Sequence, residues 1–287
     1  MQDSIILNAY AKINLYLDVT GNRSDGYHCI KSVMQSISLY DTVTVSKNNS
    51  DNIRITCSDK NIPCDEANTA FKAAQAFFRE TKDYFGVDID IVKRIPSQAG
   101  LGGGSSDGAA VLTALNQISH TGFSIQELCE IGAKAGADIP FCIMGGTALC
   151  EGIGEILTPL RPLPDCYIVI AKGTAGISTK EAYNKIDLLT NKDNSDMPIL
   201  SIYNNSDIAE ICSVCYNIFE MVSDVSEINT IKEIMYRYGA LVSCMSGSGS
   251  AVFGIFTDNA YALKCTEYLK ASNYFSKLCR PINCKQL

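Results

Sequence analysis

The chain has 287 residues, which corresponds to about two domains of ordinary size. Its composition, 46% hydrophobic and 19% charged, is that of a folded globular protein and excludes disordered, collagen-like and coiled-coil classes. There are 24 Lys and Arg against 31 Asp and Glu, so the net charge is −7; this argues against nucleic acid or an anionic membrane as a partner, but not against a small anionic molecule.

The N-terminal segment predicts a cytoplasmic protein. Residues 1–4 carry Asp3 and no basic residue, and the apolar run at 5–7 is too short for a signal peptide. Nothing further along approaches the ~20 apolar residues of a membrane helix. The 13 cysteines are therefore expected to be reduced thiols, and their odd number excludes complete pairing within the chain.

One pair of cysteines, Cys212 and Cys215, has the CxxC spacing of metal and redox sites. With Ile208 and Phe219 the two thiols fall at helical spacing, which is typical of a buried stripe. A zinc site would need two more ligands, but the chain has only two histidines and no second CxxC. The pattern therefore favours core packing over metal binding or redox chemistry.

The chain opens with β-strands. Apolar and polar residues alternate over residues 12–19, so Lys12 and Asn14 are expected on one face of a strand. Turn-forming residues fill 20–26, and Tyr27 and His28 follow where the chain leaves this turn. Further strand patterns cover residues 41–45 and 53–57.

The first predicted helix follows residue 68. Asn68 is predicted to cap a helix, and Ser124 with Glu127 to form a capping box for a helix that ends near Ala135. Between them a strand from Val87 leads to a glycine-rich loop at 97–107, with a helix behind it from Ala109. The segment 136–140 breaks the chain and opens another helix, with Pro140 in its first turn.

The second half begins after a connector at 161–165, where we place a domain boundary, giving domains at 1–160 and 161–287. The predicted elements around and beyond it are strands at 147–150, 153–157 and 167–171, a polar loop at 192–196, a helix at 227–238 stopped by Gly239, strands at 241–244 and 251–256 around a glycine-serine turn, and a helix from about Asn259.

The segment from Gly100 to Asp107 carries the strongest functional signal. Four glycines and two serines expose backbone N–H groups to a ligand, and the following helix adds the positive end of its dipole, so the loop favours a phosphate. The alternative to phosphate binding is a glycine-rich turn whose only role is in packing. The loop is not a Walker A motif, because it lacks the Gly-Lys-Ser/Thr ending, and the last glycine of a dinucleotide motif would fall on Ser105 or Asp107.

Three blocks of the chain resemble the GHMP kinases (galactose, homoserine, mevalonate and phosphomevalonate kinases). They are Ala9–Leu15 with Gly26–His28, Pro96–Ala110, and Met245–Phe253, so the resemblance extends over most of the chain. Within the family, the blocks Lys12–Leu15, Asp25–His28 and Gly136–Pro140 are most similar to the kinases that act on a cytidine-diphosphate-linked methylerythritol.

The resemblance implies a fold, an activity and cofactors. The implied fold is the α+β, two-domain GHMP kinase fold, with an N-terminal domain like domain 2 of ribosomal protein S5 and a ferredoxin-like C-terminal domain. The implied activity is ATP-dependent phosphorylation of the 2-hydroxyl of that cytidyl substrate, in the non-mevalonate isoprenoid pathway, with ATP and Mg²⁺ as cofactors. The ATP-binding residues implied are Pro96, Gly100, Leu101, Gly102, Gly103, Gly104, Ser105, Ser106 and Asp107.

The catalytic residues implied are Asp138 and Lys12. Phosphoryl transfer to an alcohol needs positioning, charge stabilisation and a group that manages the hydroxyl proton. Asp138 stands at the position of the family's catalytic aspartate, and Lys12 next to it would keep the carboxylate ionised. On sequence alone, Asp138 is an equally good N-cap for the helix near Pro140, and Lys12 an ordinary exposed strand lysine.

The resemblance further implies a substrate site made by Asn14, Tyr27, His28, Tyr183, Gly247 and Ser248. A cytosine has a polar edge to hydrogen-bond and a flat face to stack, which suits a histidine beside aromatic rings. The expected partner is thus a small phosphorylated molecule, and the protein a monomer or homodimer. No metal ligand is singled out, although Ser105 and Ser106 are candidates.

Three rival functions stay open on the sequence. One is another GHMP kinase acting on homoserine or mevalonate, which lack a nucleobase. The second is a nucleotide-binding protein without catalysis, against which the presence of both Lys12 and Asp138 argues. A redox function through Cys212 and Cys215 is the third.

Overall fold

The computed structural model describes residues 3–189 and 199–283, and it is α+β, as the sequence predicts. The predicted polar loop at 192–196 lies outside the described residues. The strands are β1 (Ser4–Asn22), β2 (His28–Lys47), β3 (Ile53–Cys57), β4 (Val87–Val92), β5 (Thr147–Glu151), β6 (Ile156–Pro159), β7 (Tyr167–Lys172), β8 (Tyr216–Asn217), β9 (Val242–Met245), β10 (Val252–Phe256) and β11 (Phe275–Cys279).

Helices connect these strands. They are α1 (Thr69–Thr81), α2 (Gly103–Ser119), α3 (Ile125–Ala133), α4 (Ile139–Met144), α5 (Thr179–Ile186), α6 (Ile199–Asn205), α7 (Ile208–Ser213), α8 (Ser226–Arg237) and α9 (Asn259–Ala271), with a 3₁₀ turn at Ile218–Val222. None of the helices in the described part of the chain is long and apolar enough to cross a bilayer.

The first sheet is built on the long antiparallel pair β1 and β2. Its strand order is β3-β4-β2-β1-β8, and β5 pairs with the opening residues of β2 and with β6. Helices α1 to α4 cover one face, where residues such as Phe77, Leu112 and Ile139 form a continuous core with the strands.

The alternation predicted for residues 12–19 breaks in the middle of β1. The pairing of β1 with β2 shifts register between Asn14 and Tyr16, so Leu15 and Tyr16 both enter one core cluster, while Leu17 and Val19 enter another. This shift is a β-bulge, which adds a residue to one strand and re-aims the side chains after it. The bulge follows Asn14, so Lys12 and Asn14 still share a face, as predicted.

The capping predictions for α1 and α3 are confirmed. The Asn68 side chain accepts a hydrogen bond from the Ala70 N–H, and Ser124 and Glu127 form the reciprocal capping box. The prediction that the helix after the glycine loop begins near Ala109 is wrong, because α2 begins at Gly103. The glycines disfavour a helix interior, but here they occupy its first turn, where backbone N–H groups are unpaired in any helix.

The second sheet has the order β11-β7-β10-β9, and α8 and α9 pack on it. A core cluster shared by both sheets includes Ile13 and Val33 from the first and Ile168 and Phe253 from the second. Because this cluster is fully buried, it fixes the two sheets relative to each other.

The helical stripe predicted through Cys212, Cys215 and Phe219 is only partly correct. Helix α7 ends at Ser213, and β8 follows because it pairs in parallel with β1 at Tyr16 and Leu17. Both cysteines still pack in the shared core, and burial raises the pKa of the Cys212 thiol to about 12. The core-packing interpretation is confirmed, and every cysteine in the described ranges is a free thiol.

Candidate active site

A cleft of about 1490 Å³ lies where segments from the two halves of the chain meet. One wall is formed by β1 and the glycine loop, and the other by residues 176–184 and the glycine-serine turn at 247–249. The predicted site residues that line it are Lys12, Asn14, Tyr27, His28, Pro96, Gly100, Leu101, Gly102, Gly103, Gly104, Ser105, Asp107, Asp138, Tyr183, Gly247 and Ser248. The cleft thus brings together residues from both halves of the chain.

The glycine loop turns sharply before α2. Gly100 and Gly102 have φ values of +73° and +69°, in the region that favours glycine, and Gly102 is the N-cap without a side-chain hydrogen bond. A Cβ atom on Gly100 would lie 1.9 Å from the Ser246 carbonyl oxygen, so only glycine lets the two loops meet. The first N–H groups of α2 therefore open onto the cleft, which is the arrangement that binds a phosphate.

Ser106 is the one predicted ATP-binding residue that the structure places elsewhere. Its hydroxyl donates to the Tyr10 carbonyl at 2.6 Å, and its backbone N–H donates to the Gly102 carbonyl at 2.8 Å. Ser106 lines a separate cavity of about 50 Å³ behind α2. Its two donors are used inside the fold, because the helix begins at Gly103 and turns this residue away from the cleft.

Lys12 and Asp138 meet in the cleft, although 126 residues separate them in sequence. Lys12 Nζ lies 3.3 Å from Asp138 Oδ2, and the Lys12 side chain is 5% exposed against 29% for Asp138. The Lys12 backbone N–H donates to the Leu101 carbonyl at 3.0 Å, and its side chain packs against Gly102. The pair is thus anchored directly beside the glycine loop.

Asp138 occupies the N-cap position of α4 but caps nothing. Its φ and ψ of −83° and −9° are helical, and its side chain accepts no hydrogen bond from the first turn. A capping aspartate needs an extended backbone to reach the N–H groups of that turn. The capping interpretation is therefore wrong, and the carboxylate faces Lys12 instead.

Lys12 is held by a second contact, to Asn14. Lys12 Nζ donates to Asn14 Oδ1 at 2.8 Å, and Asn14 Nδ2 donates to Ser32 Oγ, also at 2.8 Å. The Ser246 hydroxyl, from the other half of the chain, donates to the Gly100 carbonyl at 3.0 Å and accepts from the Asn14 backbone N–H at 3.3 Å. Ser246 thus ties the glycine loop to β1.

An aromatic pair stands at another part of the cleft. The rings of His28 and Tyr183 stack with centroids 4.5 Å apart, and Tyr183 meets Phe219 edge-on at 4.9 Å. His28 Nε2 lies 2.8 Å from Asp187 Oδ1; a carboxylate accepts, so this nitrogen carries the hydrogen. Tyr27, beside the pair, is 59% exposed and open to a ligand.

A buried ionic network supports the glycine loop from below. Lys93 bridges Asp41 and Asp107, at 2.7 Å from Asp107 Oδ2, and all three side chains are at most 7% exposed. Asp41 Oδ1 also accepts from the backbone N–H groups of Arg94 and Ile95. Asp107 Oδ1 is buried with no hydrogen-bond partner among the described residues. The network joins β2, the end of β4 and α2.

The network shifts the titration of two of its members. Burial and, to a lesser extent, the Asp41 carboxylate together raise the pKa of Asp107 to about 7, although Lys93 acts in the opposite direction. For Lys93, burial lowers the pKa, but the Asp107 and Asp41 carboxylates outweigh it and leave the pKa above its ordinary value. Two carboxyl groups thus share one ammonium group, and the Asp107 carboxyl group takes up a proton at a higher pH than an ordinary aspartate.

This shift predicts a pH-dependent stability. Asp107 titrates near pH 4 in the unfolded chain and near pH 7 in the folded protein, so between these values only the folded protein holds the proton. The protonated Asp107 stabilises the folded state, and this contribution to the free energy of unfolding is at its full size below about pH 4. It is lost as the pH rises through 7, which lowers the free energy of unfolding by roughly 2–4 kcal/mol. Urea unfolding at pH 5 and pH 8 measures this, because Asp107→Asn removes the titration and should gain stability relative to wild type at the higher pH. An equal difference between the two proteins at both pH values would contradict it.

Four site residues were not predicted from the sequence: Asp41, Lys93, Ser32 and Asp187. Lys93 offered a weak signal, since it follows a strand and precedes the glycine loop. Ser32 offered none, because a serine in a strand is ordinary and its partner Asn14 is 18 residues away.

Phosphoryl transfer to an alcohol requires phosphate donors, positive charge and a proton acceptor in one place. The cleft provides them in the helix α2 N-terminus, Lys12 and Asp138. An α+β fold that holds these groups between its two halves is that of a small-molecule kinase.

Comparison with known proteins gives the family. Residues 68–146 match the GHMP kinases N terminal domain, and residues 222–274 match the GHMP kinases C terminal domain. A Clostridium perfringens protein named 4-diphosphocytidyl-2-C-methyl-D-erythritol kinase is 41% identical over 286 residues, covering 98% of this chain and 99% of that protein. The chain belongs to the GHMP kinase family, as its sequence blocks indicated, and kinases of this family use ATP.

Solved structures agree on the fold. A crystal structure of 4-(cytidine 5'-diphospho)-2C-methyl-D-erythritol kinase superposes with a TM-score of 0.79 at 28% identity, covering 98% of this chain and 100% of that one. Homoserine kinase from Cytophaga hutchinsonii superposes with a TM-score of 0.80 at 21% identity, covering 100% and 96%. The predicted two-domain GHMP kinase fold is therefore confirmed.

Proposed function

We propose that this chain transfers the γ-phosphoryl group of ATP to the 2-hydroxyl of 4-diphosphocytidyl-2-C-methyl-D-erythritol, a step of the non-mevalonate isoprenoid precursor pathway. The observation that carries the proposal is a single cleft that joins the glycine loop, the Lys12–Asp138 pair and the His28–Tyr183 pair. The name and the 41% identity of the Clostridium perfringens relative support the choice of acceptor.

The phosphates of ATP are proposed to bind at the N-terminus of α2. The backbone N–H groups of Gly103, Gly104 and Ser105 lie in its first turn and have no acceptor within the helix. They and the positive end of the helix dipole favour an anion. Pro96, Gly100, Leu101 and Gly102 would shape the approach, and Asp107 would act from below through Lys93.

Asp138 is proposed to accept the proton of the acceptor hydroxyl, and Lys12 to stabilise the charge that develops. Asp138 is partly exposed to the cleft, so a substrate oxygen can reach its carboxylate, whereas Lys12 is buried and fixed by two contacts. A fixed ammonium group needs no reorganisation as charge moves onto the transferred group. In this proposal Asp138 accepts the proton and Lys12 stabilises the developing charge.

The cytidyl end of the acceptor is proposed to bind at Tyr27, His28 and Tyr183. His28 donates from Nε2 to Asp187, and in the neutral ring Nδ1 is then an acceptor that matches the exocyclic amino group of cytosine. Tyr27 and the stacked pair supply flat faces for the base. Asn14, Gly247 and Ser248 line the cleft between this end and the phosphates.

Mg²⁺ is the proposed metal. No group of three or more His, Cys, Asp or Glu side chains within the described ranges could hold a metal. That suits Mg²⁺, which takes one or two protein oxygens and otherwise phosphate and water. Ser105 lines the cleft and Ser106 does not, so Ser105 is the loop serine that would contribute an oxygen. When bound, Mg²⁺ neutralises charge on the phosphates.

We further propose the organisation and setting of the enzyme. The domain boundary is placed at the connector between β6 and β7, with domains at 1–160 and 161–287. The protein is proposed to act in the cytoplasm as a monomer or homodimer.

An acceptor panel tests the proposed function. ADP release is measured with ATP and Mg²⁺ and, in turn, 4-diphosphocytidyl-2-C-methyl-D-erythritol, homoserine, mevalonate and galactose. Turnover is expected with the cytidyl acceptor alone, and CMP is expected to inhibit it by occupying the His28 end of the cleft. Turnover with another acceptor would support the kinase activity but contradict the proposed substrate. ATP binding without any turnover would indicate a protein that has lost catalysis.

A further inference from the structure

We propose that Ser32, a serine of β2 outside the predicted site, is a positioning residue for phosphoryl transfer. It sets the orientation of the Asn14 side-chain amide, and through that amide it aims the ammonium group of Lys12. The proposal rests on the function proposed above, since that function assigns Lys12 to the reaction.

A backbone carbonyl determines which way the Ser32 hydroxyl points. Ser32 is fully buried, and its Oγ lies 2.7 Å from the Tyr16 carbonyl oxygen. A carbonyl can only accept, so the single hydroxyl hydrogen of Ser32 points to Tyr16. The Ser32 oxygen is then left as an acceptor on its other side.

Asn14 supplies the donor that this oxygen needs. Its Nδ2 lies 2.8 Å from Ser32 Oγ, and its side chain is buried, with the residue 1% exposed. The two ends of a carboxamide are similar in shape and opposite in hydrogen-bonding character. Ser32 therefore decides which end faces which way, by accepting from the NH₂ group.

The other end of the amide faces Lys12. Asn14 Oδ1 accepts from Lys12 Nζ at 2.8 Å, and the same nitrogen lies 3.3 Å from Asp138 Oδ2. A reversed amide would place an NH₂ group against an ammonium group, with no acceptor between them. The hydrogen bond to Asn14 sets one direction of the ammonium group, and it holds the nitrogen beside the Asp138 carboxylate in the cleft. Ser32 thus fixes this direction from two side chains away.

Removing the Ser32 hydroxyl is expected to affect the chemical step more than nucleotide binding. In Ser32→Ala the Asn14 NH₂ group loses its acceptor, so the amide is free to turn and Lys12 loses its fixed direction. We expect kcat to fall about tenfold, with the KM for ATP within about twofold of wild type. The matched control is Ser243→Ala, because Ser243 is also a buried strand serine that bonds a backbone carbonyl, at 3.3 Å from the Phe253 oxygen, and it lies outside the cleft. Its kcat should match that of wild type.

A double-mutant cycle separates positioning from general damage to the fold. If Ser32 acts through Asn14, adding Ser32→Ala to Asn14→Ala should change kcat by less than about twofold. If the two substitutions multiply their effects on kcat, or if Ser32→Ala alone leaves kcat unchanged, the proposal is overturned.

A second readout does not depend on turnover. The side-chain NH₂ of Asn14 should exchange slowly with solvent in the wild-type protein by NMR, and at least tenfold faster in Ser32→Ala. Slow exchange in both proteins would contradict the proposed role of Ser32 in orienting the Asn14 amide, whichever substrate the enzyme phosphorylates. Failure of the proposed function appears separately, as a wild-type protein that does not turn over the cytidyl acceptor.

Discussion

The variant Asp138→Asn is expected to have a kcat about 10²–10⁴-fold below that of wild type, because an amide cannot take the proton of the acceptor hydroxyl. The fold should be unaffected, since the Asp138 side chain caps no helix and contacts Lys12 from a position open to the cleft. The KM for ATP should change little, because the proposed phosphate site is formed by backbone N–H groups of α2. Steady-state ADP release, with circular dichroism to verify the fold, measures both effects.

The chain offers a matched control for this substitution. Asp258 stands at the N-cap of α9, outside the cleft, and accepts from the Ala260 N–H at 2.7 Å. Asparagine is as good an N-cap as aspartate, so Asp258→Asn should retain both fold and kcat. Near-native turnover by Asp138→Asn would remove Asp138 from the role of base.

The second large effect is expected at Lys93. Lys93→Met would leave the Asp41 and Asp107 carboxyl groups buried without their shared counter-charge. Removing one partner of a buried ionic group costs about 3–5 kcal/mol, because the remaining charge is neither hydrated nor paired. The free energy of unfolding should fall by about this amount at pH 7.5, and adding Asp107→Asn should recover part of it. Urea unfolding of the wild type and both variants measures the effect.

An exposed ion pair provides the comparison. Lys134 and Glu80 are also 2.7 Å apart, but their side chains are 59% and 46% exposed. Such pairs contribute little to stability, so Lys134→Met should unfold at nearly the same urea concentration as wild type. If Lys93→Met is as stable as Lys134→Met, the buried network does not support the glycine loop in the way described.

Helix ends with a local chemical signature were predictable from the sequence. Asn68 and the Ser124–Glu127 pair cap their helices through contacts within a few residues, so the sequence contains the whole interaction. The start of α2 was not predictable by the same reasoning. Gly103 and Gly104 have low helix propensity, and the turn that leads into the helix is made at Gly100, against a loop at Ser246 that lies far along the chain.

Elements that depend on partners far along the chain were also missed. The bulge after Asn14 and the short strand β8 both arise from pairing with another strand, at β2 and β1 respectively. Tertiary pairing overrides the local periodicity on which the predictions for residues 12–19 and 208–219 rested.

The residues of the candidate site also differ in how far the sequence could predict them. Lys12 and Asp138 were identified through the family resemblance, and spacing alone could not have paired residues 126 positions apart. The supporting residues Ser32 and Lys93 were not identified, because their function lies in the direction of a hydrogen bond and in the burial of a charge, and neither is visible before the strands are placed.

The most direct test of the proposed reaction is ³¹P NMR of its product. Wild-type protein is incubated with ATP, Mg²⁺ and 4-diphosphocytidyl-2-C-methyl-D-erythritol, beside Asp138→Asn at the same concentration. We predict a new phosphomonoester signal from the acceptor, with its diphosphate intact, in the wild-type reaction and almost none in the variant over the same time. An unmodified acceptor in the wild-type reaction, or equal product from both proteins, would contradict the account.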